Sequence, residues 1–267
     1  MKKLIGIVAA FLLMASTALA DTTIKVDGST TVLPIMQKVV EAYMKAHPDV
    51  KISVSGGGSG NGIKALIDGA TDVAMASRAM EAKEMDLAKT KNIAPKQIVC
   101  AIDAIVPVVN PANKLAEITT DQLKDLYMGK ITSWKDLGGD GPVVVISRDT
   151  SSGTYETWEG LVMKKERVFP GALMQASSGA VVQAVSKNKN ALGYVGIGYL
   201  DASTKGLKVN GVEATAENAK SKKFPISRDL YIYTNGEPAG AVKGLVDFLL
   251  SAEGQKLVKE AGFVPLN

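Results

Sequence analysis

The chain has 267 residues, 46% of them hydrophobic, with 31 Lys and Arg against 27 Asp and Glu, one Cys and one His. So mild a positive balance, without runs of like charge or basic-aromatic interleaving, argues against a nucleic-acid partner. One cysteine forbids an intramolecular disulfide, and the scarcity of Cys and His removes the usual zinc sites.

In chain order, Lys2 and Lys3 precede an apolar stretch from Leu4 to Met14 and then Ala18-Leu19-Ala20, a small-x-small pattern. This reads as a secretory signal peptide over 1–20 with Asp21 as the mature start, since the apolar stretch is short for a membrane span. No cysteine stands at the cleavage point, so the expected product is free in the periplasm and is not a lipoprotein. Without Lys2 and Lys3 the balance is 29 basic to 27 acidic residues.

Ile24-Lys25-Val26 predicts a strand that runs into Asp27-Gly28-Ser29-Thr30-Thr31, and Pro34 then opens a helix with Met36, Val39, Val40 and Tyr43 at helical spacing. Lys51 to Val54 repeats the pattern, leading through Ser55-Gly56-Gly57-Gly58-Ser59-Gly60-Asn61-Gly62 into a short helix at Ile63, Leu66 and Ile67. Ile98 to Val109 is a long strand-like run holding Cys100, which is expected to be a buried, inert thiol. Val143 to Ile146 leads into Ser147-Arg148-Asp149-Thr150-Ser151-Ser152-Gly153-Thr154, a third strand, small polar loop and helix start. Ser177-Ser178-Gly179 before Ala180 to Val185 is a weaker fourth copy. Leu192 to Ile197 and Arg228 to Thr234 complete the strands.

Strands alternating with helices predict an α/β fold with largely parallel sheets. The block between the long runs carries its own strands and helices, so one lobe is expected to be inserted in the other. Residues 21–103 with 228–267 would form lobe 1 and 104–227 lobe 2, with two crossover strands near Asp103 and Arg228 as the hinge and a ligand cleft between the lobes.

A loop of hydroxyls and bare amides at a helix N-terminus suits an oxyanion, because the unpaired N–H groups and the helix dipole favour negative charge. Arg148 adds a planar fork of donors that stays protonated. One such loop would pass as an ordinary capped turn. Three or four of them point to a dehydrated anion, each replacing hydrogen bonds otherwise made by water.

Catalytic chemistry finds little support. His47, the sole histidine, stands at a helix end before Pro48, away from any nucleophile it could serve. Gly57-Gly58-Ser59-Gly60-Asn61 lacks the last glycine of a nucleophile elbow, and Gly56 to Gly62 matches neither the P-loop nor the dinucleotide spacing. Met36, Met75, Met163, Trp134 and Trp158 read as packing residues.

Taken in order, Asp27 to Pro34, Ser55 to Gly62, Asp72-Val73-Ala74-Met75-Ala76-Ser77-Arg78 and Ser147 to Thr154 resemble the signatures of phosphate-binding proteins of bacterial ABC importers. Ile118 to Leu123, Met128 to Gly139 and Tyr194-Val195-Gly196 extend the resemblance over nearly the whole mature chain. It implies a type II periplasmic-binding-protein fold closing on one phosphate, with no catalytic step and no cofactor, as a monomer that docks on a membrane permease complex. Carried over, Ser29, the Thr30 hydroxyl, the Thr31 amide, and the hydroxyl and amide of Ser59 would bind from one lobe, and Arg148, Ser152, Gly153 and Thr154 from the other. In the family's best-known pattern an aspartate follows the Ala-Ser pair and accepts a phosphate proton. Here Arg78 stands there, and it is expected to add a second cation to the site. That departure keeps sulfate, molybdate and tungstate as alternative ligands. A phosphate-ester hydrolase using Ser59 or Ser152, and a sensor module reusing the fold, are the rivals from other classes.

Overall fold

The computed structural model describes residues 22–267, so the expected signal peptide lies outside the described residues. Strand β1 (Thr22–Gly28) alternates exposed positions with buried Ile24 and Val26, and leads to α1 (Leu33–Ala46), whose first turn carries Pro34 and whose buried stripe is Ile35, Met36, Val39, Val40 and Tyr43. After β2 (Val50–Gly56), α2 (Ser59–Ile67) and β3 (Val73–Ala76) comes α3 (Ala82–Thr90), capped by a reciprocal box in which Glu81 and Glu84 satisfy each other's backbone amides.

The long strand β4 (Pro95–Val109) leaves this unit, and β5 (Glu117–Ile118) and α4 (Thr120–Tyr127) follow. Strand β6 (Val144–Arg148), α5 (Gly153–Leu161), β7 (Leu173–Gln175), α6 (Ser178–Ser186) and β8 (Ala191–Gly196) form the body of the second unit. Two short strands, β9 (Lys205–Gly206) and β10 (Lys208–Val209), and α7 (Ala216–Lys220) precede β11 (Ser227–Asn235), which returns to the first unit, closed by α8 (Gly240–Leu250) and α9 (Ala252–Glu260).

The strands run in the order β2-β1-β3-β11-β4-β8-β6-β7, with β9 also on β4. Residues 95–104 of β4 pair with β11 and the last five residues with β8, so β4 and β11 belong to the junction. The expectation of largely parallel pairing holds within each half, for β1 with β2 and β3 and for β6 with β7 and β8. It fails at the junction, where β11 is antiparallel to both β3 and β4, and β4 to β8. The physical reason is connectivity: one crossover strand leaves the first unit and the other re-enters it, so the two must run in opposite directions.

Each half buries its own core. In the first, α1, α8 and α9 cover one sheet face through Met36, Val39, Leu245 and Leu249, and α2 covers the other through Ile63 and Leu66. In the second, Tyr127, Trp134, Trp158 and Tyr194 fill one face and Val181 and Val185 the other. Trp158 and Tyr194 stack at 4.2 Å with planes 8° apart. Cys100 is buried, as are Met36, Met75 and Met163. Among the described residues no helix is long and apolar enough to cross a membrane.

Candidate functional site

Four helix N-termini meet where the two halves touch. Before α1, the Ser29 hydroxyl accepts from the amides of Thr31 and Val32 at 3.1 and 3.3 Å, a local turn that fixes the loop. Gly58, at φ 103°, turns the chain into α2 so that Ser59 is its first residue. Ser152 caps α5, accepting from Tyr155 N, and Ser177 caps α6, accepting from Ala180 N. The amides of each first turn lack intrahelical partners.

These ends are brought into direct contact across the halves. The Thr31 and Thr154 hydroxyls lie 2.9 Å apart, Thr30 Oγ1 lies 3.4 Å from Ser178 Oγ, and Ser178 N donates to Thr30 Oγ1 at 3.3 Å. Gly60 N donates to Ser151 O at 3.0 Å. A Cβ on Gly153 would stand 2.4 Å from Ser59 Oγ and 2.8 Å from Ser77 Oγ, so only glycine lets the start of α5 reach the other half. Tyr199 OH donates to Thr30 O as a further tie. Ser29, Thr30, Thr31, Ser59, Ser77, Ser152, Thr154 and Ser178 are all buried.

Arg148 ends β6, where the Trp158–Tyr194 stack stands behind the strand and Tyr194 OH meets Ser147 Oγ at 3.0 Å and accepts from Arg148 N at 3.3 Å. Its side chain is wedged into the second half: Nε donates to Gln175 O at 2.9 Å, Nη2 to Ala176 O at 3.2 Å and Nη1 to Ser178 Oγ at 3.3 Å. Arg148 is 1% exposed, and all three partners are neutral oxygens. Burial pushes its pKa down, opposed by the neighbouring Asp149, and the guanidinium stays charged.

Arg228 is placed differently. It sits on β11 directly opposite Asp103 on β4, and its Nε and Nη2 lie 2.8 and 2.7 Å from Asp103 Oδ2. Asp103 is fully buried, which pushes its carboxyl pKa up against the pull of Arg228, while Oδ1 accepts from Ile197 N at 3.0 Å.

Of the residues picked from sequence, Ser29, Thr30, Thr31, Ser59, Arg148, Ser152, Gly153 and Thr154 are gathered here. Two details differ from expectation. The Thr31 amide donates to Ser29 Oγ, so its hydroxyl and not its N–H faces the other half. Arg78 turns away: Nη1 and Nη2 grip Glu84 at 2.7 and 2.8 Å, Nη1 also meets Ala79 O, and Nε donates to Glu156 of the opposite half. Burial works against its charge, but the two carboxylates outweigh burial and raise its pKa. With its donors directed to the rim, Arg78 bridges the halves and adds no free cation to the loops.

Ser77, Ser178, Tyr199 and the Asp103–Arg228 pair also touch this cluster. Ser178 was visible in the fourth loop. Ser77 lies in the Asp72 to Arg78 stretch, where only Arg78 was given a role, and the Asp103–Arg228 contact depends on strand register that one sequence does not display.

The assembly is rich in donors and suits an oxyanion stripped of water. His47, at the C-terminal cap of α1 and packed at a tilt against the Tyr43 ring, lies at the opposite end of that helix from the cluster. Among the described residues no group of three or more His, Cys, Asp or Glu could hold a metal ion.

The PBP superfamily domain matches residues 15–253. The phosphate-binding protein PstS of Borreliella burgdorferi is 32% identical over 257 residues, covering 91% of this chain and 90% of that protein. A Clostridium perfringens crystal structure, described as a phosphate ABC transporter substrate-binding protein with bound phosphate, superposes with a TM-score of 0.86 at 34% identity, covering 92% of this chain and 100% of the other. An ABC-type phosphate transport receptor from Vibrio cholerae gives a TM-score of 0.74 at 33% identity, over 90% and 99% of the two chains.

Proposed function

This chain belongs to the phosphate-binding receptors of ABC importers, and we propose that it holds one dehydrated phosphate ion among the loops at Ser29–Thr31, Ser59, Ser152–Thr154 and Ser178, with Arg148 as the cation of the site. Such receptors work outside the cytoplasm, and the two-lobed periplasmic-binding-protein fold is theirs.

The observation that carries the site assignment is Arg148. A guanidinium buried to 1% exposure with only neutral partners is a charge waiting for an anion, because burial without a counter-ion is costly and an ionised ligand would relieve it. The surrounding hydroxyls and first-turn amides supply the hydrogen bonds that phosphate gives up on leaving water.

Binding is a capture without catalysis. Lobe 1 is assigned to 21–103 and 228–267 and lobe 2 to 104–227; phosphate touches both, so it favours the arrangement in which they meet, with β4 and β11 as the hinge. The closed protein, a monomer free in the periplasm with no cofactor, then docks on the membrane permease.

Titration calorimetry with inorganic phosphate tests this, with one ion per chain expected. Competition by sulfate, molybdate and tungstate reads which tetrahedral oxyanion the donors prefer, with phosphate expected to bind most tightly, and a chromogenic phosphate ester should not be turned over. Tighter binding of sulfate than of phosphate, or steady ester hydrolysis, would overturn the assignment.

A further inference from the structure

Arg228 is outside the phosphate-binding set proposed above, yet its guanidinium reaches both lobes. Besides Asp103, it donates through Nη1 to Ser77 O in the first lobe at 3.0 Å and to Gly153 O in the second at 3.5 Å. Nη2 reaches Thr154 Oγ1 at 3.0 Å and Thr31 Oγ1 at 3.4 Å, one hydroxyl from each lobe. Arg228 is itself 8% exposed, and Thr31 and Thr154 are 1% each.

Proton counting gives this arrangement its meaning. A guanidinium can only donate, whereas a hydroxyl has one proton to give and two lone pairs with which to accept. Both threonine oxygens therefore accept from Nη2. They also lie 2.9 Å from each other, so one hydroxyl donates to the other. Among the described residues neither reaches a carbonyl or carboxylate oxygen, so the pair as a whole keeps one proton with no acceptor. Two buried hydroxyls whose acceptor side is occupied by a cation, and whose donor side is undersupplied, are arranged to meet an anion.

Asp103 completes the device. Its Oδ2 accepts from Nε at 2.8 Å and lies 2.7 Å from Nη2 as an ion pair, which holds the plane of the fork and leaves the Nη2 protons to the threonines, and its charge balances that of Arg228. The pair thus orients hydroxyls without adding a net charge beside the ligand.

We propose that Arg228, held in plane by Asp103, is a positioning residue of the phosphate site: it occupies the acceptor side of the Thr31 and Thr154 hydroxyls and so turns both protons, one from each lobe, toward the ligand. On binding, the threonine–threonine bond is exchanged for two bonds to phosphate. Because the same guanidinium holds Ser77 O and Gly153 O, this alignment exists only when the lobes are together. The inference rests on the phosphate reading above.

A double-mutant cycle tests it, using titration calorimetry with inorganic phosphate at constant ionic strength. Thr154→Val in the otherwise native protein should raise Kd about tenfold or more, the usual effect of losing one hydrogen bond to a charged group. Arg228→Lys keeps the charge pair with Asp103 and removes the fork. In that background the same Thr154→Val change should raise Kd no more than about threefold, because the hydroxyl is no longer committed to donating. Were Arg228 only a structural strut, the two effects would multiply and Thr154→Val would have the same ratio in both backgrounds, which overturns the proposal. If Arg228→Lys does not fold, Asp103→Asn, which leaves the guanidinium and frees its plane, closes the same cycle with the same two readings. Native protein that fails to bind phosphate would overturn the phosphate reading itself, whereas phosphate binding with multiplying effects overturns only the role of Arg228.

Discussion

Replacing Arg148 by Met removes the guanidinium and keeps most of the apolar stem, which isolates the charge from the packing. In the unliganded protein two effects oppose each other. Gln175 O and Ala176 O lose their donor, at about 1 to 3 kcal/mol for each if it stays buried and unpaired. Against this, a buried cation with no carboxylate partner disappears, and with it a desolvation cost of similar size. With phosphate bound the balance is different, since truncating one partner of a buried, hydrogen-bonded charge pair costs about 2 to 5 kcal/mol. Taking about 3 kcal/mol, Kd should rise roughly a hundredfold. Thermal unfolding can read this directly. Phosphate at a thousand times the native Kd should stabilise the native protein by about 4 kcal/mol, and the same concentration should stabilise Arg148→Met by about 1.4 kcal/mol. At about 3 °C per kcal/mol for a chain of this size, the phosphate-induced rise in Tm should fall from about 12 °C to about 4 °C. A variant that melts lower without phosphate but keeps the full phosphate-induced rise would refute the argument and make Arg148 a tie between β6 and the α6 turn.

Three further outcomes are expected. Gly153→Ala places a methyl group within 2.4 Å of Ser59 Oγ, so it should hold the lobes apart and weaken phosphate binding at least tenfold while leaving the apo melting temperature almost unchanged, by calorimetry and differential scanning respectively. Glu156 has its pKa raised by burial, against the pull of Arg78, so the folded state takes up its proton at higher pH than the unfolded state does. Its contribution to stability therefore increases as pH falls through that raised value, and Glu156→Gln should lose this gain in urea denaturation followed over a descending pH series; an identical pH slope in both proteins would contradict it. Burial pushes the Cys100 thiol up to about 12, so a thiol reagent at pH 8 should react only through global unfolding, and labelling that is fast and unaffected by phosphate would disprove that protection.

The loops were the legible part of the chain because their chemistry is local. Ser29, Ser152 and Ser177 are followed within a few residues by the amides they serve, and the glycines beside Ser59 mark a turn that other residues resist. The two lobes were legible through the alternation of strands and helices and the two long apolar runs. What depended on register was not legible: that Arg228 falls opposite Asp103 follows from how β11 aligns on β4, with a bulge between Leu230 and Tyr231 along the way. Arg78 illustrates the same limit from the other side. Its position in the motif pointed inward, and only the three-dimensional approach of Glu156 on α5 and Glu84 on α3 explains why it turns to the rim.

The place of β11 between β3 and β4 constrains how the chain can be made. Residues 110 to 226 are synthesised between β4 and its neighbour, so the first half-sheet lacks a central strand until residue 235 has emerged from the ribosome. The second core, built almost wholly from contiguous chain, can assemble earlier. A product ending just before Ser227 would present two unpaired strand edges, at β3 and β4, beside apolar residues that α8 and α9 normally cover. Premature termination should therefore yield an aggregating species that retains one well-packed half, and the last forty or so residues act as the step that commits the whole molecule.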